Sequence, residues 1–574
     1  MKAADDPRIA DADGLLAQRF VGRFRDHGPP AVVHPRRVAA RLAESWDEAE
    51  GALDASLVVA ALLHDLVEDT PVTLGEVGAR FGDDVRALVD WVTKRGGESK
   101  AAYLGRLGGA PAAARRLKVC DRIDNLRDVV QTPGTERARR YLGETTAHVV
   151  PLATDLPERV GRKLTQAVED VRRFVEGAPR ELEPVAPGSR IEAAIARADG
   201  LFLGEVARPA SPRAPAARTL AIGDPQAPAP RFFAILDRQG LLGDDGWLRP
   251  DVALVSLGDH FDFPNAPLEA QRRDGCRILG WLAAHAPEQA PILLGNHDLA
   301  RVTELCGVDD QTFACANALG RLIYALEHAI GAGRATEQLT RRFASSFPAI
   351  ATPELAARDY ASHGAVQREL VVSLLLGGRT RLGLAAALRG VPLLCVHAGL
   401  TARELDLLGA PAEPVGLAVA LDRQLAQAVD RVRSAWEDGA RPPLELSPLH
   451  VAGRAGAEGG GAFYHRPAFP SSGPTWNPAR PRRFDPRTLP RGLRQVVGHT
   501  GHSTALSRLG DWAEERSHDI VGPVRTLRVR GHEVSYALGL ASIEADEAGL
   551  WMIDGTMARC SPADYELFPL DPLC

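Results

Sequence analysis

The chain has 574 residues, more than one hydrophobic core usually organises, so two or more domains are expected. Its 68 basic and 74 acidic side chains leave a formal charge of -6, and the basic residues form no single block, which argues against nucleic acid as a partner. Seven cysteines without a CxxC pair suit scattered reduced thiols better than a disulfide framework or a zinc knot. The polar start "MKAADDPRIADADG" and the lack of an apolar run of membrane-spanning length predict a cytoplasmic protein with no membrane partner.

Residues 8 to 175 read as helix after helix, with apolar positions at helical spacing in "ASLVVAALLHDLVED", "DDVRALVDWVTK", "AARRLKVCDRIDNLRDVV" and "TQAVEDVRRFVEG". Thr73 with Glu76 forms a capping-box pattern, and Gly82 ends that short helix before the next begins at Asp83. Two proline- and alanine-rich stretches, "EGAPRELEPVAPGS" and "ARPASPRAPAART", then place a linker with a short helix at 181–217, between a domain at 1–180 and another at 218–574. Past it the texture changes to short buried strands, "RTLAIGD", "VALVSLGD", "PILLGN", "LLCVHAG" and "QVVGHT", separated by long helical or irregular segments. Each runs into Asp, Asn or His at its C-terminal end, where α/β sheets present ligand sites. The glycine- and proline-rich stretch from about 440 to 490 is expected to be a long surface loop.

In "AALLHDLVEDT", His64, Asp65, Glu68 and Asp69 end an apolar helix. A lone His-Asp pair more often satisfies itself at the edge of a core, but His34 in "AVVHPRRVA" and Asp121 in "KVCDRIDNLRD" bring the candidate ligands to four, on three separate helices. Two imidazoles and two carboxylates suit a divalent ion such as Mn²⁺, Fe²⁺ or Zn²⁺. Glu68 falls about one turn after His64 and Asp65, so it can face the same cavity and take a proton.

This H…HD…D skeleton, with "HDLVEDT", "TLGEVGARFGDDVRALVDWVTK" and "KVCDRIDNLRD" in that order, resembles the HD superfamily, and within it the alarmone hydrolase domain of the RelA/SpoT proteins. The resemblance implies one divalent metal, expected to be Mn²⁺, on His34, His64, Asp65 and Asp121. It also implies an acidic pair, Glu68 and Asp69, that handles the attacking water, with Asn125 near the substrate ribose. The family has two adjacent basic residues before its HP motif for gripping the guanine nucleotide; here Arg25 is kept and Asp26 follows it. No synthetase module is recognisable, so the domain is expected to degrade alarmone as a guanosine-3′,5′-bis(diphosphate) 3′-pyrophosphohydrolase.

The second block carries Asp259 and Asp262 in "VALVSLGDHFDF", Asn296, His297 and Asp298 in "PILLGNHD", His397 in "LLCVHAG", and His499 and His502 in "VVGHTGH". Any one of these is weak, because loop motifs also arise as turn caps. The ordered set resembles the calcineurin-like metallophosphoesterases, most closely bacterial relatives of the phosphoprotein phosphatase branch. The fold class implied is an N-terminal all-α HD-domain bundle followed by an α/β metallophosphoesterase, a β-sandwich flanked by helices. Two divalent metals (Mn²⁺, Fe or Zn²⁺) are implied, bridged by Asp259. Asn296, His397 and His499 would complete one, and Asp224, Gln226 and His502 would serve the other. His297, oriented by Asp262, would protonate the leaving alkoxide. The family has Asp-x-His where this chain has Asp224, Pro225 and Gln226, and an arginine where it has Phe263. Arg466 in "FYHRP" is the candidate replacement for gripping phosphate, weighed against an ordinary solvent-facing arginine.

The expectation is a two-headed hydrolase acting on a nucleotide in one half and on a phosphomonoester or phosphoprotein in the other. The alternative is a sensor, in which the HD domain binds alarmone without cutting it and gates a phosphoprotein phosphatase. A nucleic-acid-processing HD protein is disfavoured by the charge balance.

Overall fold

The computed structural model describes residues 3–573 except 26–27, 131–134, 177–188, 213, 265, 455, 471–476, 478 and 514–516. Asp26, much of the proline- and alanine-rich stretch at 181–188, and part of the 440–490 segment therefore lie outside the described residues. The chain divides into two units, one of residues 1–181 with 309–361, the other of 182–308 with 362–574.

The first unit is helical, and its helices begin where the sequence offers caps. Asp6 accepts from Arg8 N–H at the start of Pro7–Arg19, Asp54 from Ser56 N–H at Ala55–Leu63, and Ser99 from Ala102 N–H at Lys100–Arg106. The Thr73–Glu76 capping box forms, and Gly82, at φ 102°, turns the chain into Asp83–Val92. Every residue of Ala55–Leu63 is buried, so this helix runs through the centre of the unit, where an all-apolar surface belongs.

Residues 309–361 join this unit, although the sequence reading includes them in the second block. The helix Asp310–Ile330 packs along Val33–Glu44, and Arg334–Ser346 packs on Pro7–Arg19. Charge fixes the fit: Asp13, fully buried, is bracketed by Arg36 at 2.7 Å and Arg342 at 2.8 Å, and Glu44 pairs with Arg321 at 2.9 Å.

The second unit holds two principal sheets. One runs in the order Phe568–Leu570, Arg218–Ile222, Val252–Ser256, Ile292–Leu293, Thr380–Arg381, all parallel except the first pair. The other runs Glu533–Leu538, Arg525–Arg530, Ala548–Met552, Arg494–Val497, Val391–Val396, Gly383–Leu388, parallel in its middle and antiparallel at both sides. Both contribute to one buried cluster that includes Ala221, Val255, Leu393, Val496 and Trp551, while a larger cluster packs helices against them.

Two expectations change. The helix expected inside a linker, Arg190–Leu203, packs on Ala229–Arg238 and Leu268–Ala284 with Ala194 and Ala198 fully buried, so it belongs to the second unit's core. The 440–490 segment is more than a surface loop. Leu449, His450, Phe463, Tyr464, His465 and Phe484 are buried, and His450–Val451 and Gly460–Gly461 pair as strands. Its glycines serve backbone approach: a Cβ on Gly461 would lie 2.2 Å from the Leu449 carbonyl.

Candidate functional sites

In the first unit, His34 opens the Val33–Glu44 helix, His64 closes Ala55–Leu63, Asp65 begins Leu66–Asp69, and Asp121 lies in Ala112–Val129. The helices bring these four residues together. His34 Nε2 is 3.2 Å from Asp121 Oδ1 and 3.5 Å from Asp65 Oδ2, and His64 Nε2 is 3.1 Å from Asp65 Oδ1 and 3.7 Å from Asp121 Oδ1. The opposite ring nitrogens are committed, His34 Nδ1 to Asp124 Oδ2 at 2.8 Å and His64 Nδ1–H to the Ala61 carbonyl at 2.9 Å. His64 Nε2 is buried without a hydrogen-bond partner among the described residues. Two ring nitrogens facing two carboxylates, one of them orphaned and the far side of each ring anchored, form a donor set that fits a divalent cation.

The electrostatics agree. Burial opposes charge on His64, but Asp65 and Asp121 outweigh it and hold the imidazolium up to about 9. Burial likewise opposes charge on Asp121, and Lys118, then His34 and His64, outweigh it and keep the carboxyl well below its usual range. Asp124 and Asp128 also lie near His34, but their charge is matched by Arg37 and Arg41, so they support the cluster from outside.

Around the cluster, Asn125 Nδ2 donates to Asp121 Oδ1 at 2.5 Å, and Arg25 Nη2 donates to Asn125 Oδ1 at 2.8 Å. Arg25 is held from its other side by Asp128 Oδ2 at 3.1 Å. Glu68 and Asp69 are exposed, and Glu68 Oε1 accepts from the Lys94 amide at 2.7 Å. Burial, then Asp65 and Glu68, raises the Asp69 carboxyl above its ordinary value. Lys118 and Asp124 are the residues that motif reading misses; each lies three positions from Asp121 on its helix, a spacing that shares one face.

Residues 14–158 match the family model described as HD domain. This segment is an HD domain. Over 144 residues it is 38% identical to a probable GTP pyrophosphokinase of Mycobacterium leprae, covering 24% of this chain and 17% of that protein. Over 176 residues the chain is 33% identical to the guanosine-3′,5′-bis(diphosphate) 3′-pyrophosphohydrolase of Aquifex aeolicus, covering 28% of this chain and 24% of that protein. A solved structure described as a metazoan ortholog of SpoT that hydrolyzes ppGpp is 26% identical; the match covers 29% of this chain and 96% of that one, with a TM-score of 0.26. The chain thus spans no more than about a quarter of these curated relatives, through its HD domain.

Outside the HD domain, the second unit gathers its candidates at the C-terminal ends of parallel strands. Asp224 follows Arg218–Ile222, Asp259 follows Val252–Ser256, Asn296 follows Ile292–Leu293, His397 follows Val391–Val396, and His499 follows Arg494–Val497. His397 Nε2 is 3.2 Å from Asn296 Oδ1, 3.2 Å from His499 Nδ1 and 3.4 Å from Asp259 Oδ2. His397 Nδ1–H donates to the Leu257 carbonyl at 2.8 Å, which turns the Nε2 lone pair towards that group. Lone pairs of two imidazoles, an amide and a carboxylate at such distances fit a shared cation.

The backbone around this cluster is sharply bent. Asp259, Asp262 and His499 have φ of 57°, 67° and 60°, the left-handed region that costs a non-glycine residue energy. A Cβ on Gly295 would lie 2.1 Å from Asp259 Oδ1, and one on Gly498 would lie 2.0 Å from Asp224 Oδ1. Asp298 Oδ2 accepts from the amides of Asp259 and Gly295, both at 2.9 Å, and so braces the two motif loops together. His260 and His465 have structural roles, on Asp298 and on the Gly399 carbonyl.

His297 Nδ1 lies 2.9 Å from Asp262 Oδ2, the pairing expected of an oriented acid. Asp262 is gripped by Arg301 Nη1 at 2.6 Å and by the Ser362 amide and hydroxyl at 2.9 and 2.6 Å. Burial opposes charge on His297, but Asp259 and Asp262 outweigh it and raise its affinity for a proton. Arg466 is only partly buried, and its Nε lies 3.3 Å from the His499 carbonyl, beside the cluster.

The residues expected to serve a second ion are placed differently. His502 is buried with Nδ1 at 2.8 Å from the Tyr536 hydroxyl and Nε2 at 3.0 Å from the Ser517 carbonyl, so neither ring nitrogen is left for a metal. Gln226 Nε2 donates to the Phe261 carbonyl at 2.7 Å. Asp224 accepts from the His499 amide at 2.9 Å on each oxygen, and burial, then Asp554, raises its carboxyl well above the usual range. Asp554 was legible as another strand-end acid, in "WMIDG" after Ala548–Met552.

Proposed function

We propose that the HD domain is a metal-dependent pyrophosphohydrolase acting on the 3′-diphosphate of guanosine tetra- or pentaphosphate. The carrying observation is the convergence of His34, His64, Asp65 and Asp121 with both imidazoles anchored from behind. A divalent ion held there, Mn²⁺ by the donor set, supplies Lewis-acid polarisation and an acidified water when bound. Asp69 is the better proton acceptor of the acidic pair, because its carboxyl is raised in affinity while Glu68 is engaged by Lys94. Arg25, fixed by Asn125 and Asp128, supplies a positioned cation for a phosphate group.

The second unit is read as a phosphomonoesterase. Asp259, Asn296, His397 and His499 would hold an ion, His297 would give its proton to the leaving alkoxide, and Arg466 would grip the phosphate. The supporting observation is the strand-end cluster with the His297–Asp262 pair beside it. The test uses the full chain with Mn²⁺, following pyrophosphate release from guanosine tetraphosphate and phosphate release from an aryl phosphate. His64→Ala should remove only the first activity and Asp259→Asn only the second. Alarmone binding without turnover in the native chain would favour the sensor reading.

A further inference from the structure

Between the helices Val33–Glu44, Ala112–Val129 and Glu158–Glu176 lies a cavity of about 70 Å³, lined among others by Arg41, Glu44, Ser45, Cys120, Arg127 and Lys163. Three cations there face one carboxylate, and that carboxylate is already shared. Glu44 Oε1 pairs with Arg321 at 2.9 Å, while Oε2 lies 3.7 Å from Lys163 Nζ. Arg41 is committed to Asp124 at 2.8 Å. The Arg127 side chain, in the cavity wall of a partly buried residue, makes no hydrogen bond or ion pair with any described residue. The charges of Asp124 and Glu44 reach it only from beyond ion-pair distance, and a guanidinium withdrawn from water without a direct partner is expensive. Repulsion from Arg41, then burial, pulls its pKa from the ordinary arginine range to about 9.

We propose that this cavity is a binding site for a single phosphate-type oxyanion, held by Arg127 and Lys163 with Arg41 alongside. A guanidinium fork matches phosphate oxygens, and an ammonium beside it adds a point charge. The volume admits a group of a few atoms and excludes a nucleoside, so the occupant is inorganic phosphate or the terminal phosphate of a nucleotide. The site is separate from the His34–His64–Asp65–Asp121 cluster and does not depend on that cluster's chemistry. Arg41 also anchors Asp124 behind His34, so Arg127 and Lys163 are the positions to test.

The experiment is thermal unfolding and calorimetric titration of the full chain, stripped of metal with a chelator so that no metal centre can hold the anion. Inorganic phosphate and GMP are titrated separately in phosphate-free buffer. Inorganic phosphate should raise the unfolding temperature of the native chain. Arg127→Gln should abolish that dependence and, by removing an unpaired cation, raise the unfolding temperature when no phosphate is present. Lys163→Gln should weaken phosphate binding about tenfold or more, the loss of one charge-assisted contact. An Arg127-dependent response to GMP alone would assign the site to a nucleotide's phosphate. Equal phosphate affinity in the native chain and both variants, or no response to either anion, would overturn the proposal.

Discussion

His34 is held from behind by Asp124: Nδ1 and Oδ2 are 2.8 Å apart, and Asp124 is in turn fixed by Arg37 and Arg41. The pair sets the tautomer that leaves His34 Nε2 free to face Asp121 and Asp65. Asp124→Asn should weaken Mn²⁺ binding to the first unit by about 10- to 100-fold, the usual cost of losing a partner behind a ligand. Titration of the metal-stripped chain, with circular dichroism to confirm folding, checks this. Unchanged affinity would show that the pair has no part in the centre.

Within the acidic pair, Asp69→Asn should lower turnover of guanosine tetraphosphate by about 100-fold or more, with metal affinity retained. Glu68→Gln should cost less, because Glu68 Oε1 is occupied by the Lys94 amide. Steady-state rates of both variants at saturating Mn²⁺ decide the order.

Arg301 acts through Asp262. Both side chains are buried, and Arg301 also donates to the His297 carbonyl at 2.9 Å. Arg301→Met would leave a buried carboxylate without its main counter-charge, at a cost of about 3–5 kcal/mol in stability. His297 should then change its pH response, so the pH profile of phosphomonoester hydrolysis should shift as its rate falls. A fall in rate with an unmoved profile would mean that Arg301 serves packing alone.

Acid should weaken the second unit through buried neutral histidines. His285 Nε2 accepts from the Leu248 amide at 3.1 Å, and Nδ1–H donates to the Trp281 carbonyl at 2.9 Å, so the ring must stay uncharged. Burial first, with Arg379 adding repulsion, lowers its pKa to about 4, against about 6.5 when unfolded. The unfolded state thus takes up a proton first, and the stabilisation, on the order of 2–3 kcal/mol, is whole above pH 6.5 and lost as pH falls towards 4. His285→Asn should be less stable at pH 7 yet show a shallower loss across that window in denaturant titrations.

A chain ending at residue 181 should be markedly less stable than the HD unit within the full chain. It loses the helices that cover Val33–Glu44, and it strips Arg342 from the fully buried Asp13. A drop of about 10 °C or more in unfolding temperature is expected.

The four residues that converge in the HD domain were legible because each sits in a short motif at fixed spacing, and the strands of the second unit announced themselves by apolar runs ending in Asp, Asn or His. What stayed hidden depends on contacts between distant segments. Nothing in "DQTFACANALGRLIYALEHAI" shows that it covers the Val33–Glu44 helix, because an amphipathic face does not name its partner. Asp124 and Arg301 read as ordinary helix charges until the fold sets His34 and Asp262 beside them. His502 shares a motif with His499, yet Tyr536 and Ser517, both distant in sequence from that motif's strand, occupy its ring.

The most direct measurement is product analysis of guanosine tetraphosphate incubated with the full chain and Mn²⁺. The account predicts GDP and pyrophosphate in stoichiometric yield, no product after His64→Ala, and undiminished yield after Asp259→Asn. Absence of pyrophosphate from the native chain at saturating Mn²⁺, or equal turnover by His64→Ala, would contradict it.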